Sequence, residues 1–116
     1  MQIQVTTDNH IKGSPELTSL VENIVEGALT RFGDRVTKVV AHFTDENSAA
    51  KKIGNDKRCV LEVRIAGHQP IVVTNDGSTI QEALDGAAEK MEKTLDRTLD
   101  RLDKPKGRTS FAGDQS

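Results

Sequence analysis

The stretch from residue 15 to residue 32 constrains the fold most, because its apolar residues recur at helical spacing without a gap. These residues are Leu17, Leu20, Val21, Ile24, Val25, Ala28, Leu29 and Phe32. Ser14 followed by Pro15 favours a helix start, and Gly33 favours a helix end. The spacing predicts an amphipathic helix whose one apolar face must pack against another layer of structure.

A second amphipathic helix is predicted near the end of the sequence. Two overlapping capping boxes precede it, and either would serve as its start. They pair Ser78 with Gln81 and Thr79 with Glu82. The apolar stripe that follows consists of Ile80, Leu84, Ala87, Ala88, Met91, Leu95, Leu99 and Leu102. Pro105 and Gly107 favour an end after this stripe, and the Asn-Asp-Gly segment at 75–77 is predicted to be a turn.

Four other segments alternate apolar and polar residues, which is typical of half-buried strands. They cover residues 1–7, 35–46, 57–67 and 68–75, with a tight turn between the last two. Residues 46–56 show no periodicity and are predicted to form a flexible connection. The resulting order, β-α-β-β-β-α, predicts an α+β fold in which two helices pack on one face of a four-stranded mixed sheet.

The connections predict how the strands pair. The first helix is long enough to be a crossover, so the first two strands should be parallel, with the usual right-handed connection. The remaining strands are expected to be antiparallel neighbours. The sheet face away from the helices should then be polar, carrying Gln2, Gln4, Thr6, Lys38, His42, Arg58 and Arg64.

The net charge is −2, yet the bases are gathered locally. On the second helix they are spaced three, four, four and three apart: Lys90, Lys93, Arg97, Arg101 and Lys104. At about 100° per residue they form a stripe roughly 80° wide. An acidic stripe runs one residue earlier: Glu89, Glu92, Asp96, Asp100 and Asp103. Taken alone, the paired stripes favour a solvated charged face over a polyanion-binding one.

Two further basic clusters favour the polyanion interpretation. One contains Lys51, Lys52, Lys57, Arg58 and Arg64, and the other contains Lys104, Lys106 and Arg108. The chain has no Trp or Tyr and three Phe, so it lacks the aromatic platforms on which single-stranded bases stack. Contact with RNA would therefore be with phosphates and with the shape of folded RNA.

No catalytic or metal-binding constellation is evident, so we predict a non-enzymatic protein without a cofactor, metal or small-molecule substrate. His10, His42 and His68 are isolated from other metal-ligand types, and His42 fits an exposed strand position. Cys59 alternates with inward-facing residues, which indicates a buried, inert thiol, and a single cysteine fits a reducing compartment. Without a leader or an apolar run of about 20 residues, neither export nor membrane insertion is expected.

The sequence resembles the ribosome hibernation promoting factor family, also called ribosome-associated inhibitor A or the sigma-54 modulation protein family. The matching segments, in order, are MQIQVTTDN, VVAHFTDEN, DKRCVLEVRI and TIQEALDGAAEKMEKTLDR. The resemblance covers roughly residues 1–102. It implies the same β-α-β-β-β-α fold, similar to a double-stranded-RNA-binding domain.

The resemblance implies a cytoplasmic translation inhibitor that acts in ribosome hibernation, during stress or stationary phase. Its partner would be the 16S rRNA of the small ribosomal subunit, in the channel that holds messenger and transfer RNA. In the family the last helix reads roughly Lys-Leu-Glu-Arg-Gln-Leu-Arg-Lys. The segment KMEKTLDR places Lys90, Lys93 and Arg97 on basic positions of that pattern, and Asp96 on a position that is often basic.

The predicted RNA-binding residues are therefore Lys90, Lys93, Arg97 and Arg101, supported by Lys38, Lys57, Arg58 and Arg64. Residues 1–103 are expected to form the ribosome-binding domain, with a disordered tail at 104–116, as in a short form of the family. The resemblance leaves open whether the protein pairs ribosomes or only blocks single ones. Off the ribosome we expect a monomer. The alternative is a protein-binding regulatory module of the same fold, which would use the acidic stripe or the acidic first helix.

Overall fold

The computed structural model describes residues 1–8, 11–45 and 56–103. Its elements are β1 (Gln2–Thr7), α1 (Pro15–Leu29), a 3-10 segment (Thr30–Arg35), β2 (Val36–Asp45), β3 (Lys57–Ile65), β4 (Ile71–Gly77) and α2 (Ile80–Asp103). This order confirms the predicted β-α-β-β-β-α fold.

Several sequence predictions fall outside the described residues. The connection predicted at 46–56 does so apart from Asp56, and so does the tail predicted at 104–116. The same holds for His10, Lys51, Lys52, Lys104, Pro105, Lys106, Gly107 and Arg108.

The strands form one sheet in the order β1-β2-β3-β4. β1 and β2 are parallel and are joined through α1, while β2–β3 and β3–β4 are antiparallel, as predicted. The register aligns Phe43 with Cys59, and Leu61 with Val73. Because side chains alternate along each strand, this register gathers the apolar rows on a single face.

The core lies between that face and the two helices. Fully buried strand residues include Val39, Ala41, Phe43, Cys59, Leu61 and Val63. Facing them are Val21, Val25 and Leu29 of α1, and Leu84, Met91 and Leu95 of α2. Each helix thus buries its one apolar stripe against the sheet, which leaves the charged stripes of α2 outside the core.

α1 begins where the sequence predicts and ends one turn earlier. The Leu17 N–H donates to Ser14 Oγ at 3.1 Å, which caps the helix. The α-helix stops at Leu29, and the chain continues as the 3-10 segment, which keeps Phe32 in the core. Gly33, with φ of 62°, lies at a kink inside this segment, in a conformation that glycine adopts at the least cost.

β4 extends through Asn75–Gly77, so the turn predicted at these residues is wrong. Gly77 pairs with Lys57 of β3 and is buried beneath the first turn of α2. A Cβ atom at Gly77 would lie 2.7 Å from the backbone nitrogen of Ala83. The Asn75 amide donates to the Ala83 carbonyl at 3.2 Å. Packing against α2 therefore outweighs the local turn preference of these residues.

α2 begins at the second of the two predicted capping boxes. The Glu82 N–H donates to Thr79 Oγ1 at 3.0 Å. The Glu82 carboxylate accepts from the Ser78 hydroxyl at 2.7 Å and from its N–H at 2.9 Å, and these bonds lower the pKa of Glu82. These three hydrogen bonds fix the start of the helix that carries the basic stripe.

The far end of α2 differs from the prediction, because its buried stripe stops at Leu99. Leu102, predicted to lie in the core, is 48% exposed. A helix of 24 residues is about 36 Å long, whereas the seven residues of β4 span roughly 24 Å. The last turn of α2 therefore runs beyond the strand under it.

Candidate nucleic-acid interface

The four described residues of the basic stripe, Lys90, Lys93, Arg97 and Arg101, are all exposed. Arg97 and Arg101 have no carboxylate within 4.0 Å among the described residues. The Lys93 ammonium is 4.0 Å from the Glu89 carboxylate, and both side chains are 70% exposed, so water and salt screen this pair strongly. Three of the four predicted helix cations are thus available to an external anion.

Lys90 is engaged with the sheet. Its ammonium donates to the Thr74 carbonyl at 2.9 Å, on the edge strand β4. An unpaired carbonyl on an edge strand can recruit another chain, and a lysine at that place discourages such pairing. The contact also shows on which side of α2 the basic stripe lies, namely over the β4 edge.

Two acids of the acidic stripe, Glu92 and Asp96, point towards the end of α1, about 100° round the helix from the basic stripe. Arg31, in the 3-10 segment, lies with its Nε 3.3 Å from Glu92 Oε2 and a terminal nitrogen 2.5 Å from Asp96 Oδ2. The hydrogen bond from Arg31 lowers the pKa of Asp96, and the same bond raises the pKa of Arg31. The guanidinium also lies 4.4 Å from the centre of the Phe32 ring. Glu92 and Asp96 are therefore turned towards Arg31 and neutralised by it, whereas Glu89 stays next to Lys93 of the basic stripe.

Lys38 and Arg64 lie on the other face of the sheet. They are directly opposite each other on β2 and β3. Arg64 is about half exposed, and its Nε is 3.9 Å from Glu62 Oε2. Like charges placed opposite each other on neighbouring strands oppose pairing, so this arrangement has a cost in stability that an external anion would relieve.

Lys57 and Arg58 are paired with local carboxylates. The Arg58 Nε is 2.9 Å from Asp76 Oδ1 across the β3–β4 pair. The Lys57 ammonium is 3.4 Å from Asp45 and 3.5 Å from Asp56, and its side chain is largely buried. These two predicted contact residues therefore offer less free positive charge than the stripe on α2.

A family model described as "Sigma 54 modulation protein / S30EA ribosomal protein" matches residues 3–103. The chain belongs to this family. The resemblance inferred from the sequence is thereby confirmed, and because the family is a non-enzymatic, ribosome-associated class, so is the prediction that the protein is not an enzyme. A comparison with curated protein sequences finds no significant match.

Two solved structures share this fold over nearly their whole length. The crystal structure of the Thermus thermophilus Protein Y N-terminal domain aligns with a TM-score of 0.67 at 17% identity, covering 84% of this chain and 99% of that one. A ribosomal subunit interface protein from Coxiella burnetii aligns with a TM-score of 0.67 at 20% identity, covering 86% and 99%. At these identities the likeness establishes the shared fold.

Within this family fold, the eight predicted contact residues do not form one patch. The α2 stripe lies on the helix side, above the β4 edge, whereas Lys38 and Arg64 lie on the opposite face. Lys57 and Arg58 sit at one end of the sheet among acids. Their role as RNA contacts stays a prediction, and the structure ranks the α2 stripe first by exposure and free charge.

Cys59 and His42 also carry reactive side chains, and both are at least partly buried. Cys59 is buried, as predicted, and burial raises the pKa of its thiol to about 12. His42 Nδ1 contacts Thr6 Oγ1 on the polar face and is half-buried, rather than exposed as the sequence suggested. Among the described residues, no group of three His, Cys, Asp or Glu side chains could hold a metal ion. In the same part of the chain, no helix is both long and apolar enough to cross a membrane.

Arg31 is the site residue that sequence reasoning missed. Its spacing from Asp96 is 65 residues, so no local pattern connects the two. The available signal was indirect: the second half of the predicted first helix has Arg31 as its only base, with Arg35 beyond it, and Asp96 occupies a position that is often basic in the family.

Proposed function

We propose that this protein is a ribosome-associated translation inhibitor of the hibernation type. Residues 1–103 would bind the 16S rRNA of the small subunit in the channel for messenger and transfer RNA, in the cytoplasm, during stress or stationary phase. Occupancy alone would block translation and preserve idle ribosomes, with no bond made or broken. Family membership supports this proposal, as do the two structural neighbours, one named Protein Y and the other a ribosomal subunit interface protein.

The observation that carries the proposal is the separation of charge on α2. Lys93, Arg97 and Arg101 project from one side of the helix with weak or no pairing in the described chain. The acids Glu92 and Asp96 turn to the other side and pair with Arg31. A protein with net charge −2 thereby presents a locally cationic surface, made by Lys93, Arg97 and Arg101 and here called the ridge. Such a surface attracts a phosphate backbone.

The mechanism is phosphate neutralisation combined with shape recognition. Each lysine or arginine that meets a phosphate releases condensed counterions, which favours binding at low salt. Phe32 and Phe43 are buried, so neither ring can stack on a base. Selectivity would then come from how the ridge and the sheet fit folded RNA.

Charge reversal of the ridge tests the proposal. The variant Lys93→Glu/Arg97→Glu should no longer cosediment with small subunits at moderate salt and should no longer inhibit translation in an extract. Its thermal unfolding should match that of the wild type, because both side chains are exposed. Retained cosedimentation would mean that α2 is not the contact surface.

Two comparison variants separate a local effect from a general charge effect. Arg97→Glu and Lys12→Glu change the net charge equally, and both positions are exposed, but Lys12 lies in the segment between β1 and α1 and is not part of the basic stripe. We expect a large loss of binding for Arg97→Glu and little for Lys12→Glu. The double variant Lys38→Glu/Arg64→Glu, on the opposite sheet face, should give an intermediate loss if that face is the secondary contact.

A protein-binding module remains the second candidate because α1 exposes Glu16, Glu22 and Glu26, none of which has an ion pair in the described chain. A basic protein could bind this acidic face. Capture of partners from a lysate, with and without ribonuclease and across a salt series, distinguishes the two functions. Ribosome capture that ribonuclease abolishes fits the RNA proposal, whereas capture of a basic protein that survives ribonuclease fits the second.

A further inference from the structure

Arg31 forms ion pairs between the 3-10 segment and α2. It follows α1 in the 3-10 segment, and its guanidinium reaches two carboxylates one helical turn apart on α2. A shallow groove surrounds this contact, lined by Arg31, Phe32, Arg35, Asp96, Leu99 and Asp100. The cluster lies at the surface, since the side chains of the three paired residues are 38–51% exposed.

The position of the two acids makes their charge matter for RNA binding. Glu92 directly precedes Lys93, and Asp96 directly precedes Arg97. Charges on adjacent helix residues lie within about one Debye length of any phosphate held by those cations. From Glu89 to Arg101, α2 carries four acids and four bases, so its own charges cancel.

We infer that Arg31 is a positioning residue for RNA binding, which acts by masking Glu92 and Asp96 so that phosphates can approach the basic stripe of α2. The inference rests on the proposed function. Arg31 supplies a positive charge from outside α2 that offsets the charge of these two carboxylates. It lies on the acidic side of the helix, where it holds both carboxylates away from the stripe above the β4 edge.

Fold stability alone gives a weak reason for this arrangement. Exposed ion pairs contribute little to folding, because solvent screens them and long side chains lose freedom. The buried residues around the contact, Phe32 and Leu99, already join the 3-10 segment and α2 to the core. An exposed arginine that pairs with two carboxylates changes the surface potential more than it changes the packing.

Neutralising Arg31 and its partners in turn provides the test. Arg31→Gln exposes both carboxylates, and their repulsion should weaken binding to small subunits roughly three- to tenfold at low salt. The thermal midpoint should change little. Adding Glu92→Gln and Asp96→Asn to Arg31→Gln should restore binding to the wild-type level or above, since the acids that needed masking are gone. Arg31→Lys should keep most of the affinity.

The possible outcomes distinguish neutralisation of Glu92 and Asp96 from other roles of Arg31. If the triple variant binds as weakly as Arg31→Gln, Arg31 contacts RNA itself. If Arg31→Gln binds as well as the wild type, the two carboxylates do not need to be neutralised. Either result overturns the inference. Elution from a heparin column gives the same comparison without ribosomes: Arg31→Gln should elute at lower salt, and the triple variant should not. A wild type that fails to bind small subunits overturns the proposed function, while the heparin order still tests the mask.

Discussion

The thiol of Cys59 lies on the inner face of β3, opposite Phe43 on the neighbouring strand. Burial favours the neutral form and raises the pKa to about 12, from an ordinary value of 9.0. Only the thiolate is a nucleophile, so the thiol is inert in the folded chain. Removal of the thiol from water thus accounts for its chemistry.

Alkylation by iodoacetamide at pH 8 should therefore leave Cys59 unmodified in the native protein and modify it fully in denaturant, as measured by mass spectrometry. Because the folded state keeps the proton to higher pH than the unfolded state, the contribution of this group to the free energy of unfolding is constant below about pH 9 and falls as pH rises towards 12. Rapid labelling of the native protein at pH 8 would show that β3 opens far more readily than its burial indicates.

Two glycines allow the same substitution to be compared in opposite surroundings. At Gly77 a Cβ would meet the Ala83 backbone nitrogen at 2.7 Å, so Gly77→Ala should lower the free energy of unfolding by about 1–3 kcal/mol. Gly27 is exposed inside α1, with no atom within 4 Å of the added Cβ, so Gly27→Ala should raise it by roughly 0.5–1 kcal/mol. Urea unfolding measures both, and equal effects would contradict the structure.

Among the elements, α2 links fold and site, because the same helix buries an apolar stripe and exposes a basic one. Its start is set by Thr79, Ser78 and Glu82, whose hydrogen bonds satisfy the first backbone groups of the helix. Its rotation about its own axis is set by burial of Leu84, Met91 and Leu95. The direction of the basic stripe is therefore a consequence of core packing.

Removing the Thr79 cap tests whether these hydrogen bonds set the start of α2. Thr79→Ala deletes the acceptor for the Glu82 N–H and should lower the free energy of unfolding by about 1 kcal/mol. Thr79→Ser keeps a hydroxyl at the cap and should be nearly neutral. If the alanine and serine variants unfold at the same denaturant concentration, the cap does not stabilise α2.

Sequence periodicity predicted these elements well because it depends on side-chain direction, which is fixed locally. The alternation through Cys59, Leu61 and Val63 predicted the buried face of β3, and the register confirms it. Features that depend on how elements meet were not predictable. The Arg31–Asp96 pair requires the packing of α1 against α2, and the strand conformation of Gly77 requires the first turn of α2 above it.

Across the whole molecule, acidic and basic residues lie on different sides, so the local charge of a surface differs from the net charge. Acidic residues populate α1 and the side of α2 next to Arg31, whereas Lys93, Arg97 and Arg101 lie on the side of the β4 edge. The periodicity of the basic stripe predicted its existence, but the neutralised acids beside it and the carboxylates that pair with Lys57 and Arg58 came only from the fold. A modest excess of acid overall is compatible with strong local attraction for phosphate.

The salt dependence of binding to purified small subunits tests this account most directly. The dissociation constant would be measured from about 50 to 200 mM salt for the wild type, Lys93→Ala/Arg97→Ala and Lys12→Ala. Loss of two phosphate contacts should reduce the slope of log Kd against log salt by about 1.4–1.8 in the double variant, with no change for Lys12→Ala. Equal slopes for the wild type and the double variant would contradict the claim that this ridge of α2 meets the RNA backbone.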